Sequence, residues 1–149
     1  MNIFWTAKTP RERRFKIFEM MITIDAIAAE IVDSALKIHK ELGPGLLESA
    51  YEACLEHELT KRGFTVERQK PQPVHYDGMI IDAGYRLDLL VNDLVIIELK
   101  AVSELAPIHQ AQLTTYLKLS RKSLGFLINF NVPLIKNGIR RIANHFQES

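Results

Sequence analysis

The chain has 149 residues, of which 47% are hydrophobic and 25% charged, and its formal net charge is +1. These values are ordinary for a soluble globular protein, and the length suffices for one domain that buries a core without metal or disulfide staples. Because no global basic excess is present, any nucleic-acid partner would have to be bound by a local patch. The single cysteine, Cys54, excludes an internal disulfide and a cysteine-based zinc site and favours a cytoplasmic location. The longest apolar runs are too short to span a bilayer.

The first 22 residues are interpreted as a basic N-terminal tail or extension, followed by one domain over residues 23–149. This segment has scattered charges and no uninterrupted apolar core, so it is not a signal peptide. A loosely docked tail is favoured over a dedicated nucleic-acid arm. Met20 and Met21 also allow a later translation start, in which case residues 1–20 would not belong to the native product. The basic side chains of this tail are Arg11, Arg13, Arg14 and Lys16.

Two helices are predicted at the start of the domain. Apolar residues recur at helical spacing from Ile24 to Leu42, and the Gly-Pro-Gly of residues 43–45 then ends the helix. A second helix is predicted over residues 47–62 and ends at Gly63. Because the connection is short, the two helices should form an antiparallel pair or cross steeply. The expected inward stripe of the second helix consists of Leu47, Ala50, Tyr51, Cys54, Leu55 and Leu59.

After Gly63 the pattern changes to short β-rich runs: FTVERQ, PVHY, MIID, YRLDLLV and LVIIELKAV. A helix is predicted over residues 107–120, followed by the strand LGFLINF and a turn-containing end. Strand 94–102, this helix and strand 124–130 should form a right-handed parallel crossover. The strands before it resemble an antiparallel meander. The sequence therefore predicts an α/β fold with a mixed sheet flanked by helices.

Five polar side chains interrupt the apolar pattern: Glu48, Asp88, Glu98, Lys100 and Gln112. Glu98 and Lys100 follow an apolar run and point to the same side of their strand, because side chains alternate along a strand. Gln112 precedes Tyr116 by one helical turn. An ionised carboxylate in a dry interior costs several kcal/mol unless something pairs with it. Three carboxylates and a lysine therefore suggest a divalent cation and an activated water.

The residues predict a two-carboxylate Mg²⁺ (or Mn²⁺) site of the kind that hydrolyses phosphodiesters. Asp88 and Glu98 would supply oxygen ligands, with the Leu99 carbonyl as a further one. Lys100 would orient or deprotonate the attacking water and offset charge on the phosphate. Glu48 could hold a second metal ion or a water molecule on the metal.

The order Asp88, then Glu98-x-Lys100, resembles the PD-(D/E)XK nuclease superfamily, although Leu87 stands at the proline position of that motif. The segment GLLESAY, which contains Glu48, resembles the signature of the GxxExxY protein family, a branch of that superfamily. The motifs RLDLLV, IIELKAV, AQLTTYL and LINFNVPLIKNGIRRI extend the likeness over residues 24–144. The resemblance implies a PD-(D/E)XK nuclease-like αβββαβ core.

The resemblance also bears on the residues around the acids. The Gln112–Tyr116 pair resembles a QxxxY element that positions the lysine or the nucleic-acid backbone. His109 is the one histidine expected near the site and is treated as a possible substrate contact. Tyr51 and Tyr116 are expected to be packing residues with bonded hydroxyl groups, and Cys54 a small core residue.

The function favoured by these motifs is a Mg²⁺-dependent nuclease that hydrolyses nucleic acid, with DNA preferred over RNA as substrate. The alternative is a non-catalytic nuclease-fold module that binds nucleic acid or protein, and a homo-oligomer is a further possibility. Glu98 and Lys100 could instead form a surface ion pair worth about 0–1 kcal/mol. Glu48 could belong to a capping box at the start of its helix.

A shared cation requires Asp88 and Glu98 to point to one face of the sheet. A two-residue turn at residues 92–93 would place Asp88 opposite Ile97 and would direct Glu98 to the other face. We therefore expect a three-residue loop over residues 92–94, or a β-bulge nearer the acids. Glu48 and Gln112 should approach the acids from two flanking helices.

Overall fold

In a computed structural model, residues 9–145 are described, apart from the side chains of residues 19–22. The first helix, α1 (Pro10–Leu42), has 33 residues and begins at a capping box. In this box the Thr9 side chain accepts the Glu12 N–H (3.1 Å), and the Glu12 carboxylate accepts the Thr9 N–H (2.7 Å). The helix therefore starts well before Ile24, and most of the predicted tail is helical. The rest of that tail, residues 1–8, lies outside the described residues.

Helix α2 (Glu48–Lys61) packs against α1 after a short loop. Tyr51 fixes this loop, since its hydroxyl donates to the Gly43 carbonyl (2.6 Å) and accepts the Leu46 N–H (3.1 Å). Its ring, fully buried, stacks on Phe130 with centroids 4.4 Å apart. Tyr51 is thus a packing residue with a bonded hydroxyl, as predicted. Leu47 was expected to point inward, but it is the N-cap and is 78% exposed.

The main sheet has five strands, which lie side by side in this order: β1 (Val66–Pro71), β4 (Arg86–Val91), β5 (Val95–Lys100), β6 (Leu124–Asn129) and β7 (Ile139–Ala143). Strands β5 and β6 are parallel and joined through α3 (Pro107–Ser120), which confirms the predicted strand–helix–strand unit. The other neighbouring pairs are antiparallel, so the sheet is mixed, as predicted.

Two parts of this architecture differ from the prediction. Strands β2 (Val74–Tyr76) and β3 (Met79–Ile81) form a separate two-stranded sheet, so the meander runs β1-β4-β5 and does not include them. The turn-containing end of the chain holds a short 3₁₀ helix (Ile135–Gly138) and then β7, which pairs with β6. The alternation of β7 is weak because two arginines occupy its centre, and this explains why its pattern did not indicate a strand.

Apolar side chains cover both faces of the sheet. One cluster joins α1 and α2 to the sheet, and includes Ile31, Leu55 and Ile97. Cys54 packs against this cluster, as expected for a small core residue. The other cluster lies under α3 and includes Leu113, Leu117 and Ile96. The described helices include none that is long and apolar enough to cross a membrane.

Candidate active site

The β4–β5 connection sets which residues of the two strands face each other. Val91 pairs with Val95, so residues 92–94 form a three-residue loop, as predicted. Asn92 and Asp93 adopt left-handed backbone angles (φ 51° and 57°), which such tight loops require. Leu89 pairs with Ile97, and the same register brings Asp88 opposite Glu98.

Beyond the Leu89–Ile97 pair, the two acids bond the backbone of the opposite strand. The Asp88 N–H donates to Glu98 Oε1 (3.1 Å), and the Leu99 N–H donates to Asp88 Oδ2 (2.8 Å). The two carboxyl groups are close enough that each shifts the pKa of the other. Two acidic side chains thus meet at one point of the strand pair.

Glu98 is only 5% exposed, so it is no member of a surface ion pair. Burial, together with the charge of Asp88, raises its pKa to about 9. The pKa of Asp88 is also raised, mainly by burial, although the bond from the Leu99 amide opposes this. Because ionising both groups in so small a space is unfavourable, the pair favours a bound proton or a cation.

Glu48 and Lys100 lie near the acid pair, and the four residues together are called the acid cluster below. Burial raises the pKa of Glu48, attraction to Lys100 lowers it, and repulsion from Asp88 and Glu52 raises it further. Glu48 is the first residue of α2, but the N-cap Leu47 has no side chain able to hydrogen-bond, so the alternative of a capping box is wrong. Within residues 9–145, Lys100 forms no ion pair.

Helix α3 contributes from the other face of the sheet. Gln112 Nε2 donates to the Tyr116 hydroxyl (3.0 Å), as their spacing predicted. Burial, with the nearby charge of Glu98, raises the pKa of Tyr116, so this tyrosine lies close to the acids. His109 occupies the first turn of α3, where its Nδ1 accepts the Ala106 N–H (3.0 Å). Its role as a substrate contact stays a prediction.

Two residues near the acids were not singled out from the sequence. Glu52, 4% exposed, lies one turn after Glu48 and bonds Arg68 Nε (2.7 Å). Gln69 Nε2 donates to both Glu52 carboxylate oxygens (2.9 and 3.0 Å) and to Asp88 Oδ1 (3.3 Å). The four-residue spacing of Glu48 and Glu52 could have indicated Glu52. No sequence signal marks Gln69.

The oxygen atoms of the acid pair suit a hard divalent cation. Burial makes the negative charge of these carboxylates unfavourable, and a cation would compensate it. Across the described part of the chain, no group of three or more His, Cys, Asp and Glu side chains is arranged to hold a metal ion. A cation here would therefore depend on two carboxylates and non-acidic oxygens, as at sites where Mg²⁺ keeps several waters.

Comparison with known proteins adds one finding to this geometry. Residues 25–142 match the model of the PD-(D/E)XK nuclease superfamily, and this span contains every residue of the acid cluster. The search of curated proteins and that of solved structures gave no significant match. The matched residues form the mixed five-stranded sheet with helices on both faces described above. The chain therefore belongs to the PD-(D/E)XK nuclease superfamily.

Proposed function

We propose that this protein is a metal-dependent nuclease that hydrolyses phosphodiester bonds of nucleic acid, with DNA preferred over RNA. The observation that carries the proposal is the acid pair: the buried Glu98 and the half-buried Asp88 face each other across two strands, and the pKa of each is raised. Such an arrangement disfavours the ionised state of the free protein, and a cation would relieve this cost. The GLLESAY segment makes the GxxExxY branch the proposed subfamily.

The roles of the residues follow from their chemistry. Asp88 and Glu98 would hold Mg²⁺ or Mn²⁺ together with the Leu99 carbonyl, and Glu48 would hold a second cation or a water molecule. A bound divalent cation supplies Lewis-acid stabilisation of charge on the phosphate. Lys100 is close enough to Glu48 and Glu98 to lower the pKa of each, and no described carboxylate forms an ion pair with it. Its ammonium group is therefore available to orient water and offset phosphate charge.

Hydrolysis forms a bond between the water oxygen and phosphorus and breaks the bond to the leaving oxygen, which takes up a proton. Lys100 would hold the attacking water, and Gln112 with Tyr116 would position Lys100 or the nucleic-acid backbone. The remaining candidate, His109, presents its other ring nitrogen, Nε2, for a substrate contact, because Nδ1 already accepts a backbone N–H.

The test is incubation of the purified protein with labelled single- and double-stranded DNA and RNA, in Mg²⁺, Mn²⁺ or EDTA. We expect cleavage that requires the metal and disappears in Asp88→Asn, Glu98→Gln and Lys100→Met. The matched control is Asp25→Asn, an exposed carboxylate on α1 that pairs with Arg141. Binding without cleavage under every metal condition would instead identify a non-catalytic binding module.

A further inference from the structure

Gln69 has a backbone conformation that its neighbours in β1 do not share. Its φ is 54°, in the left-handed region that favours glycine, although it lies within a strand. On either side the register with β4 is regular, since Arg68 pairs with Leu89 and Lys70 with Leu87. The position that this register places opposite Gln69 is Asp88.

Strand β4 is distorted at the same point. Leu87 and Leu89 are two residues apart and should share a face, but Leu87 packs in the cluster under α3 and Leu89 in the cluster under α1 and α2. The alternation of β4 therefore breaks at Asp88. Local irregularities in strands re-aim side chains, and they occur frequently beside active sites.

Packing does not account for the conformation of Gln69, because the residue is exposed. What this conformation accompanies is a defined position of the side-chain amide: the Nε2 group lies between the Glu52 carboxylate (2.9 and 3.0 Å) and Asp88 Oδ1 (3.3 Å). Glu52 is itself fixed, since it is buried and bonded by Arg68 Nε at 2.7 Å. The amide thus connects an anchored carboxylate to one of the acids of the pair.

Both carboxylate oxygens of Asp88 are consequently held from outside the acid pair. Oδ2 accepts the Leu99 N–H (2.8 Å), and Oδ1 accepts from Gln69. A neutral amide can make this connection without adding charge, and its two N–H groups separate two carboxylates that would otherwise repel each other. An oriented carboxylate loses less entropy when a cation binds to it.

We propose that Gln69 is a positioning residue, whose strained backbone brings its amide between Glu52 and Asp88 and fixes the Asp88 carboxylate for a divalent cation. This inference rests on the proposed function, because it takes Asp88 to be a metal ligand. Outer partners of metal ligands typically change metal affinity or activity by about 10–100-fold when removed.

The test compares Gln69→Gly with the wild type by titration of Mn²⁺ alone, followed by calorimetry, and by the cleavage assay. Glycine removes the amide and adopts the left-handed backbone without strain, which offsets part of the lost hydrogen bonding, so the variant should still fold. We expect its Mn²⁺ affinity to fall about 10-fold or more. Gln110→Ala, an exposed glutamine on α3, is the matched control and should bind Mn²⁺ like the wild type.

A double-mutant cycle with Glu52→Gln distinguishes positioning from a structural tie between β1 and α2. If Gln69 acts through Glu52, the losses of Mn²⁺ affinity in the two single variants should not add in the double variant. Unchanged Mn²⁺ affinity in a folded Gln69→Gly, or additive losses, would overturn the inference. Wild-type protein that binds Mn²⁺ without cleaving would reject the nuclease function while the affinity comparison still tests Gln69. Wild-type protein that binds no Mn²⁺ would reject both.

Discussion

The carboxyl group of Glu98 is buried beside that of Asp88, and these two acids accept hydrogen bonds from two backbone amides and from Gln69. Burying a charge costs several kcal/mol unless it is compensated. In the free protein a proton provides that compensation, since the pKa of Glu98 rises to about 9. The same group that binds the proton is the one we propose for a cation, so protons and metal should compete.

Replacing Glu98 by Gln removes the group that titrates. The folded pKa of Glu98, about 9, lies above its ordinary value of 4.5, so the folded state keeps a proton that the unfolded state releases. The contribution of Glu98 to the free energy of unfolding is therefore fully present below pH 4.5 and is lost as pH rises toward 9. We expect metal-free Glu98→Gln to gain stability relative to wild type over this range. The gain should be at least about 1.4 kcal/mol, the free energy of one pKa unit.

Urea denaturation of both proteins in EDTA, at several pH values between these limits, measures this difference. Glu41→Gln, at the exposed last turn of α1, is the control and should follow the wild type. If the free energy of unfolding differed between wild type and Glu98→Gln by the same amount at every pH, burial would not perturb the pKa of Glu98.

The residues of the site differ in how far sequence could predict them. Asp88 and Glu98 were identifiable because charged residues interrupt or follow runs of apolar strand residues. Gln69 was not, because its left-handed backbone and its bond to Asp88 depend on Glu52, seventeen residues earlier in the chain. A contact between distant segments leaves no periodic signal in either one.

At the scale of elements, the loop of residues 92–94 determines the site, since a shift of one residue would direct Glu98 to the opposite face. The need for this extra residue followed from the sequence, once both acids were assigned to one cation. The start of α1 did not, because the capping box at Thr9 precedes a segment without a clear apolar stripe. The separate β2–β3 sheet was also missed, since short strands carry no information about their partners.

Asn92 supports this loop in two ways. Its φ of 51° suits asparagine better than alanine, and its side chain accepts the Thr65 N–H (2.8 Å). We expect Asn92→Ala to destabilise the protein by about 1–2 kcal/mol, measured by thermal or urea denaturation. Asn137→Ala, in the 3₁₀ helix, is the control and should cost less than about 0.5 kcal/mol. An equal effect of the two substitutions would contradict the role given to Asn92.

Gly138 ends the 3₁₀ helix (Ile135–Gly138) and allows its main chain to lie close to β6. A Cβ atom at this position would collide with the main-chain carbonyl oxygen of Asn129, which cannot rotate away. A Cβ at Gly125 would meet only the end of the Leu113 side chain, at 3.0 Å. We expect Gly138→Ala to cost about 1–3 kcal/mol of unfolding free energy and Gly125→Ala to cost less. Thermal unfolding of the two variants tests this order, and the reverse order would contradict it.

At the scale of the whole molecule, the acids lie where two helical layers approach the same strand pair. Helix α2 brings Glu48 and Glu52 to the site, whereas α3 brings Tyr116 and Gln112. The two apolar clusters fix these helices on the sheet, so the positions of the polar groups depend on packing throughout the chain. The expectation that Glu48 and Gln112 would approach from different helices came from the order of elements. The order of elements did not predict how many acids would converge.

A cation that binds only the folded protein should raise its melting temperature by a saturable amount. We expect this for Mn²⁺ and Mg²⁺, with Mn²⁺ acting at least as strongly at an all-oxygen site. Because Glu98 must lose its proton before it can bind a cation, the rise in melting temperature at a fixed Mn²⁺ concentration should grow as pH approaches 9.

Differential scanning fluorimetry of wild type, Asp88→Asn and the control Asp25→Asn measures this rise. Asp88→Asn should lose most of the shift and Asp25→Asn should keep it, because Asp25 lies on α1 and pairs with Arg141. Equal shifts in all three proteins would place cation binding away from the acid pair, and a rise independent of pH would exclude Glu98 as a ligand.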